Sequence, residues 1–234
     1  MQQIPDKSVD AIITDPPYGT TELKWDKVID WTAFWEQAKR VMKQPTSLVI
    51  MFAAQPFATD LIVSNRTWFR YELIWEKTIA SGFLDAKKRP LRAHENILVF
   101  SDKWKGATYN PQKTPGTKYT EKRTGKRSQH YNKSKSITIF DERCDRYPRT
   151  VLRYPTVQKI GHPTTKPIDL VSWLVLSYTN KDDLVLDPFS GSGTTALACL
   201  KNNRNFIAIE KEEKYCELAR RRLNEYESNN SSII

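Results

Sequence analysis

The chain has 234 residues, 39% hydrophobic and 11% aromatic, with a formal net charge of +10, a length that suits one full core with an appended element rather than two independent domains. No apolar run approaches the roughly 18 residues of a membrane span, and residues 1–6 lack a basic region leading into an apolar one, so no membrane partner and no secretion signal are expected. Cys144, Cys199 and Cys216 show no CxxC spacing, which argues against zinc and a disulfide framework and makes a reducing cytoplasm the expected compartment.

Residues 9–14 are a short apolar run ending at Asp15 and read as a buried strand. After a polar loop, Trp31, Phe34, Trp35, Ala38, Val41 and Met42 recur at helical spacing. A second buried strand is expected at 47–52. Pro56 sits where a helix would start, and Phe57, Leu61 and Ile62 continue one face. Further strands are expected at 69–75 and 95–100. From 102 to 156 no period holds, and this stretch reads as an insertion on the core.

The charge is concentrated in that insertion. Ten basic residues lie between Lys103 and Lys135, opposed only by Glu121, so this run carries +9 of the net charge. Trp104, Tyr109, Tyr119, His130 and Tyr131 are interleaved with it. A charge run alone is more often a solvated loop; the interleaved aromatics favour a nucleic-acid contact. Lys113, Lys118, Lys122, Arg123, Lys126 and Arg127 are the candidate DNA contacts.

Periodicity returns after residues 162–167, with Ile168, Val171, Val175 and Tyr178 on one helical face. A strand is expected at 183–187, a helix at 192–202, a strand at 205–210 and a charged helix at 212–227. Strands alternating with helices predict a doubly wound, mostly parallel α/β sheet, with residues 1–101 and 157–234 as two halves of one domain. Ligands bind outside the carboxyl ends of such strands, and Asp15, Asp187 and Glu210 all fall there.

The second half carries a cofactor signature. A strand ending in Asp187 leads into a loop containing Ser190, Gly191 and Gly193, then a helix that takes in Thr194, then a strand ending in Glu210. Glycines allow a sharp turn and close approach to a ligand, and an acid about 20 residues on suits ribose hydroxyls. The loop is not GxGxxG, and no GxxxxGK[ST] phosphate loop is present, so S-adenosylmethionine ranks ahead of nicotinamide or nucleotide triphosphate.

The first half carries Asp15-Pro16-Pro17-Tyr18. The lone pair of an adenine or cytosine amino group is delocalised into its ring and attacks poorly. A carboxylate from Asp15 and a carbonyl from Pro16, gripping both amino hydrogens, would draw the nitrogen toward tetrahedral geometry, with two prolines restricting the backbone. Tyr18 offers a face for an extruded base. No covalent nucleophile is required.

Taken in this order, the motifs resemble the β-class of DNA amino-methyltransferases, with a Rossmann-like methyltransferase sheet and a basic target-recognition insertion. The resemblance covers most of the chain. Asp15-Pro16-Pro17-Tyr18 matches the catalytic motif and Asp187-Pro188-Phe189-x-Gly191-x-Gly193-Thr194-Thr195 the cofactor motif. His162-Pro163-Thr164-x-Lys166-Pro167 resembles the segment bordering the methionine end of the cofactor, and Trp75-Glu76-Lys77 and His94-Glu95-Asn96 the strands flanking the base pocket. The resemblance implies that Asp15 and Pro16 hold the amino group, Tyr18 stacks on the flipped base, Glu210 holds the ribose, Phe189 packs near adenosine and Lys166 near methionine. It leaves His94 a turn-fixing role. It implies double-stranded DNA as partner, with a homodimer and a cognate restriction endonuclease as compatible protein partners. Asp before Pro-Pro-Tyr tilts the base toward adenine N6, because cytosine N4 members more often carry Ser there. N4-cytosine transfer, RNA as substrate and a catalytically silent DNA-binding module are the alternatives. The family places a strand ending in Gly-Asp upstream of the catalytic motif; here only Asp6-Lys7-Ser8 precede the first strand, so that strand is expected to be missing and cofactor binding weakened, through a late start or a naturally short form.

Overall fold

The computed structural model describes residues 1–20, 26–117, 119–123, 137–141, 144–157 and 165–231. Strand β1 (Ala11–Thr14) is followed by helix α1 (Trp31–Val41), β2 (Leu48–Ala53), α2 (Phe57–Ser64), β3 (Phe69–Ser81) and β4 (Arg92–Phe100). Next come β5 (Thr114–Pro115), β6 (Tyr119–Arg123), β7 (Ile137–Asp141), β8 (Asp145–Arg146) and β9 (Val151–Tyr154). Helix α3 (Ile168–Tyr178), β10 (Leu184–Asp187), α4 (Thr194–Lys201), β11 (Asn205–Ala208) and α5 (Glu213–Ser231) complete the order.

Seven strands form one sheet in the order β11-β10-β1-β2-β4-β3-β9. In it β4 runs antiparallel to β2 and β3, and every other neighbouring pair is parallel. This is the mostly parallel, doubly wound sheet that the alternating pattern predicts. Both faces are covered, so β1 and β2 read as continuous apolar runs. Successive side chains pass to opposite faces. Ile12, Val49, Met51, Leu98 and Phe100 join Phe34, Trp35 and Leu61 of α1 and α2 in one core. Ile13, Ile50, Phe52, Ile97 and Val99 join Leu170 and Leu174 of α3, with Ala198 and Cys199 of α4, in the other. Helix α1 begins where Asp30 accepts hydrogen bonds from Thr32 N at 2.9 Å and Ala33 N at 3.2 Å, a cap whose loss typically costs about 1 kcal/mol.

Two regions differ from the sequence expectation. Strands β3 and β4 extend beyond 69–75 and 95–100, pairing as far as Ser81 opposite Arg92. Their outer halves are largely exposed and polar, so no apolar alternation marks them. The second difference concerns the insertion expected at 102–156. The compact unit distinct from the sheet is Pro111–Arg149. Residues 102–110 stay with the sheet unit, where Asn110 N donates to Ser177 O at 2.7 Å. Strand β9 is a sheet strand parallel to β3; with Leu152 its one buried residue, it is too short and polar to read as one.

Within Pro111–Arg149, β5 pairs antiparallel with β8 and β6 with β7. Lys113 Nζ sits 4.7 Å from the Tyr147 ring centroid and 3.5 Å from Asp145. Among the described residues no helix is long and apolar enough to cross a membrane.

Candidate active site

The carboxyl edge of the parallel strands opens onto a cavity of about 720 Å³. Asp15 enters it directly after β1, Asp187 from the end of β10, and Glu210 from the turn after β11. Lys77 on β3 and Glu95 on β4 contribute from the other side of β1. Thr14 links the first two acids: its hydroxyl donates to Asp187 Oδ1 at 2.6 Å.

At the Asp15 end, four side chains form a row of alternating charge. Lys166 Nζ lies 2.6 Å from Asp15 Oδ2 and 3.2 Å from Glu95 Oε2, and Lys77 pairs with Glu95 Oε1. Burial pushes the Asp15 carboxyl above its ordinary range, opposed by the Lys166 charge and reinforced by Glu95. Burial alone would raise Glu95, but Lys166 and Lys77 outweigh it and hold that carboxyl low. Burial would likewise lower Lys166, yet Asp15 and Glu95 raise it, so its ammonium is firmly charged. Tyr18 Oη donates to Asp15 Oδ1 at 2.8 Å. Its phenol is pushed well above normal by burial and by the neighbouring carboxylates, so it stays protonated. The Tyr18 ring stacks on Phe57 with centroids 4.7 Å apart. Pro16 and Pro17 line the same end. Behind Tyr18, the buried Asp26 carboxylate accepts from Gly19 N at 2.8 Å and Thr20 N at 3.0 Å, tying down the turn after the motif.

At the Asp187 end, hydrogen bonds to backbone amides dominate. Phe189 N donates to Asp187 Oδ1 at 3.1 Å. Burial pushes the Asp187 carboxyl up to about 6, despite those donors and with a contribution from Asp15. Glu210 Oε2 accepts from Gly191 N at 2.9 Å, and Oε1 accepts from Lys211 N and Glu212 N at 2.8 and 2.9 Å. Ser190 N donates to Ile209 O at 2.9 Å, so the loop lies across the end of β11. Phe189 stacks on Phe34 with centroids 6.4 Å apart.

Asp15, Pro16, Pro17, Tyr18, Lys166, Asp187, Phe189, Ser190, Gly191, Thr194 and Glu210 all line this cavity. Gly193, expected to allow a sharp turn and ligand approach, is constrained by helix packing as well. Its φ is +76°, and an added Cβ would lie 2.7 Å from Ala219 Cβ, so glycine there admits α5. Lys166, which the resemblance puts near methionine, has its ammonium on Asp15. His94 lies within β4 opposite Glu76 rather than at a turn. Of the basic residues, Lys122 and Arg123 fall on β6, while Lys118, Lys126 and Arg127 lie outside the described residues.

Asp26 and Arg222 are the residues that sequence reading missed, while Glu95 and Lys77 are named there only as parts of the strands flanking the base pocket. Glu95 and Lys77 lie on paired strands with opposite charges, a signal visible only once the hairpin register is known. Arg222 belongs to α5, which reads simply as a charged helix. Its Nη1 donates to Ser192 O at 2.5 Å, Ser192 Oγ at 3.1 Å and Thr194 Oγ1 at 3.1 Å, clamping the glycine loop from behind.

The family model described as DNA methylase matches residues 9–221. An Escherichia coli (strain K12) protein named DNA adenine methyltransferase YhdJ is 31% identical over 245 residues, covering 95% of this chain and 79% of that protein. The crystal structure of the M1.HpyAVI–SAM complex superposes with a TM-score of 0.61 at 26% identity, over 94% of this chain and 90% of the other. The PvuII DNA methyltransferase, whose name gives it as cytosine-N4-specific, superposes with a TM-score of 0.60 over 95% and 88% of the two chains, a likeness of fold alone at 17% identity.

Proposed function

The chain belongs to the DNA methylase family (N6_N4_Mtase), and on that premise we propose that it methylates the N6 amino group of an adenine flipped out of duplex DNA. It is a DNA methyltransferase, and S-adenosylmethionine is its cofactor. The carrying observation is the shared cavity: the acceptor carboxylate of Asp15 and the glycine-loop acid Asp187 open onto one space and are linked through Thr14.

The residues at the Asp187 end fit an adenosyl cofactor. Glu210 would take the ribose hydroxyls and Phe189 would wall the adenine, while Asp187, Ser190, Gly191 and Thr194 would border the rest. When bound, the cofactor supplies an electrophilic methyl group on a sulfonium. Asp15 and the Pro16 carbonyl would accept hydrogen bonds from the target amino group and localise its lone pair. Asp15 is also the carboxylate placed to take the proton the methylated amine releases, and its burial makes it a better acceptor. Tyr18, backed by Phe57, would stack on the base.

Adenine is favoured over cytosine by Asp15 ahead of Pro-Pro-Tyr and by the name of the relative that is 31% identical. The basic run from Lys103 to Lys135 would supply much of the DNA grip. Treating unmethylated DNA with the protein and labelled S-adenosylmethionine, then digesting to nucleosides for mass spectrometry, tests the reading. Labelled N6-methyldeoxyadenosine is expected. Labelled N4-methyldeoxycytidine would transfer the assignment to cytosine, and no label at catalytic enzyme levels would remove the activity.

A further inference from the structure

Both oxygens of Asp15 are already engaged without substrate: Oδ1 by the Tyr18 hydroxyl at 2.8 Å and Oδ2 by the Lys166 ammonium at 2.6 Å. An ammonium on that carboxylate presents the same N–H donor that a target amino group would present. Lys166 is buried, at 9% exposure, so it is no loosely solvated counter-ion. A second acceptor for it is already in place. Glu95 Oε2 lies 3.2 Å from the same nitrogen and, among the described residues, has no donor aligned on it, and Lys77 anchors the other Glu95 oxygen. A buried carboxylate oxygen without a hydrogen bond carries a desolvation cost that a donor would relieve.

Building on the methyl-transfer reading above, we infer that Lys166 is a positioning residue. It holds the Asp15 carboxylate until the target amino group arrives and is then handed to Glu95. The exchange needs only a small movement of Nζ, because both carboxylates already lie within ion-pair distance. The row Asp15–Lys166–Glu95–Lys77 stays neutral throughout, so no net charge is created or expelled. Among the described residues, three groups besides Lys166 bear on Asp15 directly: Tyr18 from its own loop, Glu95 from β4 and Asp187 from β10. Lys77 stands behind Glu95, and Asp26 faces Tyr18.

The experiment compares wild type with Lys166→Met, Lys166→Arg and Glu95→Gln on unmethylated genomic DNA with radiolabelled S-adenosylmethionine. Calorimetric cofactor binding serves as the check on folding. Lys166→Met should lose about 100-fold in rate at pH 7 and regain about tenfold per pH unit as Asp15 ionises. Lys166→Arg should restore the wild-type pH profile while raising KM for DNA, because a planar fork that grips Asp15 releases it poorly. Glu95→Gln should raise KM for DNA about tenfold with cofactor affinity unchanged. An independent reading needs no turnover: in protein carrying ¹³C-labelled aspartate, the Asp15 carboxyl should titrate at higher pH in Lys166→Met but not in Lys166→Arg. If wild type transfers no methyl group, the functional reading fails while this titration still judges the role of Lys166. An Asp15 titration unmoved in Lys166→Met overturns the holding role, and an unchanged KM in Glu95→Gln overturns the hand-over.

Discussion

At the Asp15 end of the cavity, four charged side chains meet from four separate segments, whereas at the Asp187 end the amides of one loop and one turn converge on two carboxylates. The first arrangement depends on long-range pairing of β1, β3, β4 and the segment before α3. The second is closed largely within residues 187–212 and braced from outside by Arg222 and Thr14. The difference fits the work proposed for each end. A donor-rich backbone loop gives a fixed seat for a cofactor, while paired buried charges tune the ionisation of the group that must act.

The comparison can be broken most directly at Asp15. Asp15→Ala should reduce methyl transfer by about 100- to 1,000-fold while cofactor affinity, read by calorimetry, stays near wild type. Retained activity would remove Asp15 from the chemistry, and a large loss of cofactor affinity would show that the two ends are not separable. Replacing Lys122, Arg123, Lys126 and Arg127 together by alanine should weaken DNA binding and flatten the log–log salt dependence by about three to four units if each touches a phosphate. Neither end of the cavity should change, so cofactor affinity serves as the control; an unchanged salt slope would make the run a bystander.

A smaller effect is expected from the clamp. Arg222→Met removes three donor contacts to the glycine loop and should weaken cofactor binding by about tenfold, with kcat at saturating cofactor preserved. A fall in kcat at saturation would mean that the loop also positions the methyl group. The smallest effect concerns stability. Burial pushes the Asp187 carboxyl up to about 6 in the folded protein, against an ordinary value of about 3.9, so its favourable contribution is complete below the lower value and lost as pH rises through the higher one. Asp187→Asn keeps an acceptor for Thr14 and Phe189 but does not titrate. Its melting temperature relative to wild type should therefore climb between pH 4 and pH 7, by the equivalent of about 1–3 kcal/mol. A pH-independent difference would mean that burial does not perturb this carboxyl.

The legible parts of the molecule were those whose meaning is local. Asp15 through Tyr18, and Asp187 through Thr194 with Glu210 beyond, are contiguous or a single strand–helix–strand unit apart, and the structure brings them to one cavity. Glu95, Lys77 and Arg222 acquire their roles from strand register and helix packing, which sequence distance conceals. Lys166 was singled out by motif, yet its ammonium meets Asp15 and Glu95 through a contact no spacing could announce. On the fold side, β1 and β2 stand out because both faces are buried, whereas β9 buries a single leucine and hides among turns. Gly193 stands in the motif for turning and ligand approach, and its crowding against Ala219 adds a demand for glycine that only the packing of α5 reveals.

The central position of β1 also bears on how the protein is made. Its neighbours are β2, which follows within forty residues, and β10, which follows only after residue 183. At about 5–20 residues per second on the ribosome, roughly seven to twenty-six seconds separate synthesis of the two partners. Throughout that interval the edge of β1 that will pair with β10, at Ala11 and Ile12, has no strand beside it, and such an open edge is a template for wrong pairing with another nascent chain. The cavity needs Asp187 from β10 and then Glu210 from the turn after β11, so its two ends come together only once the chain beyond residue 183 has folded onto β1.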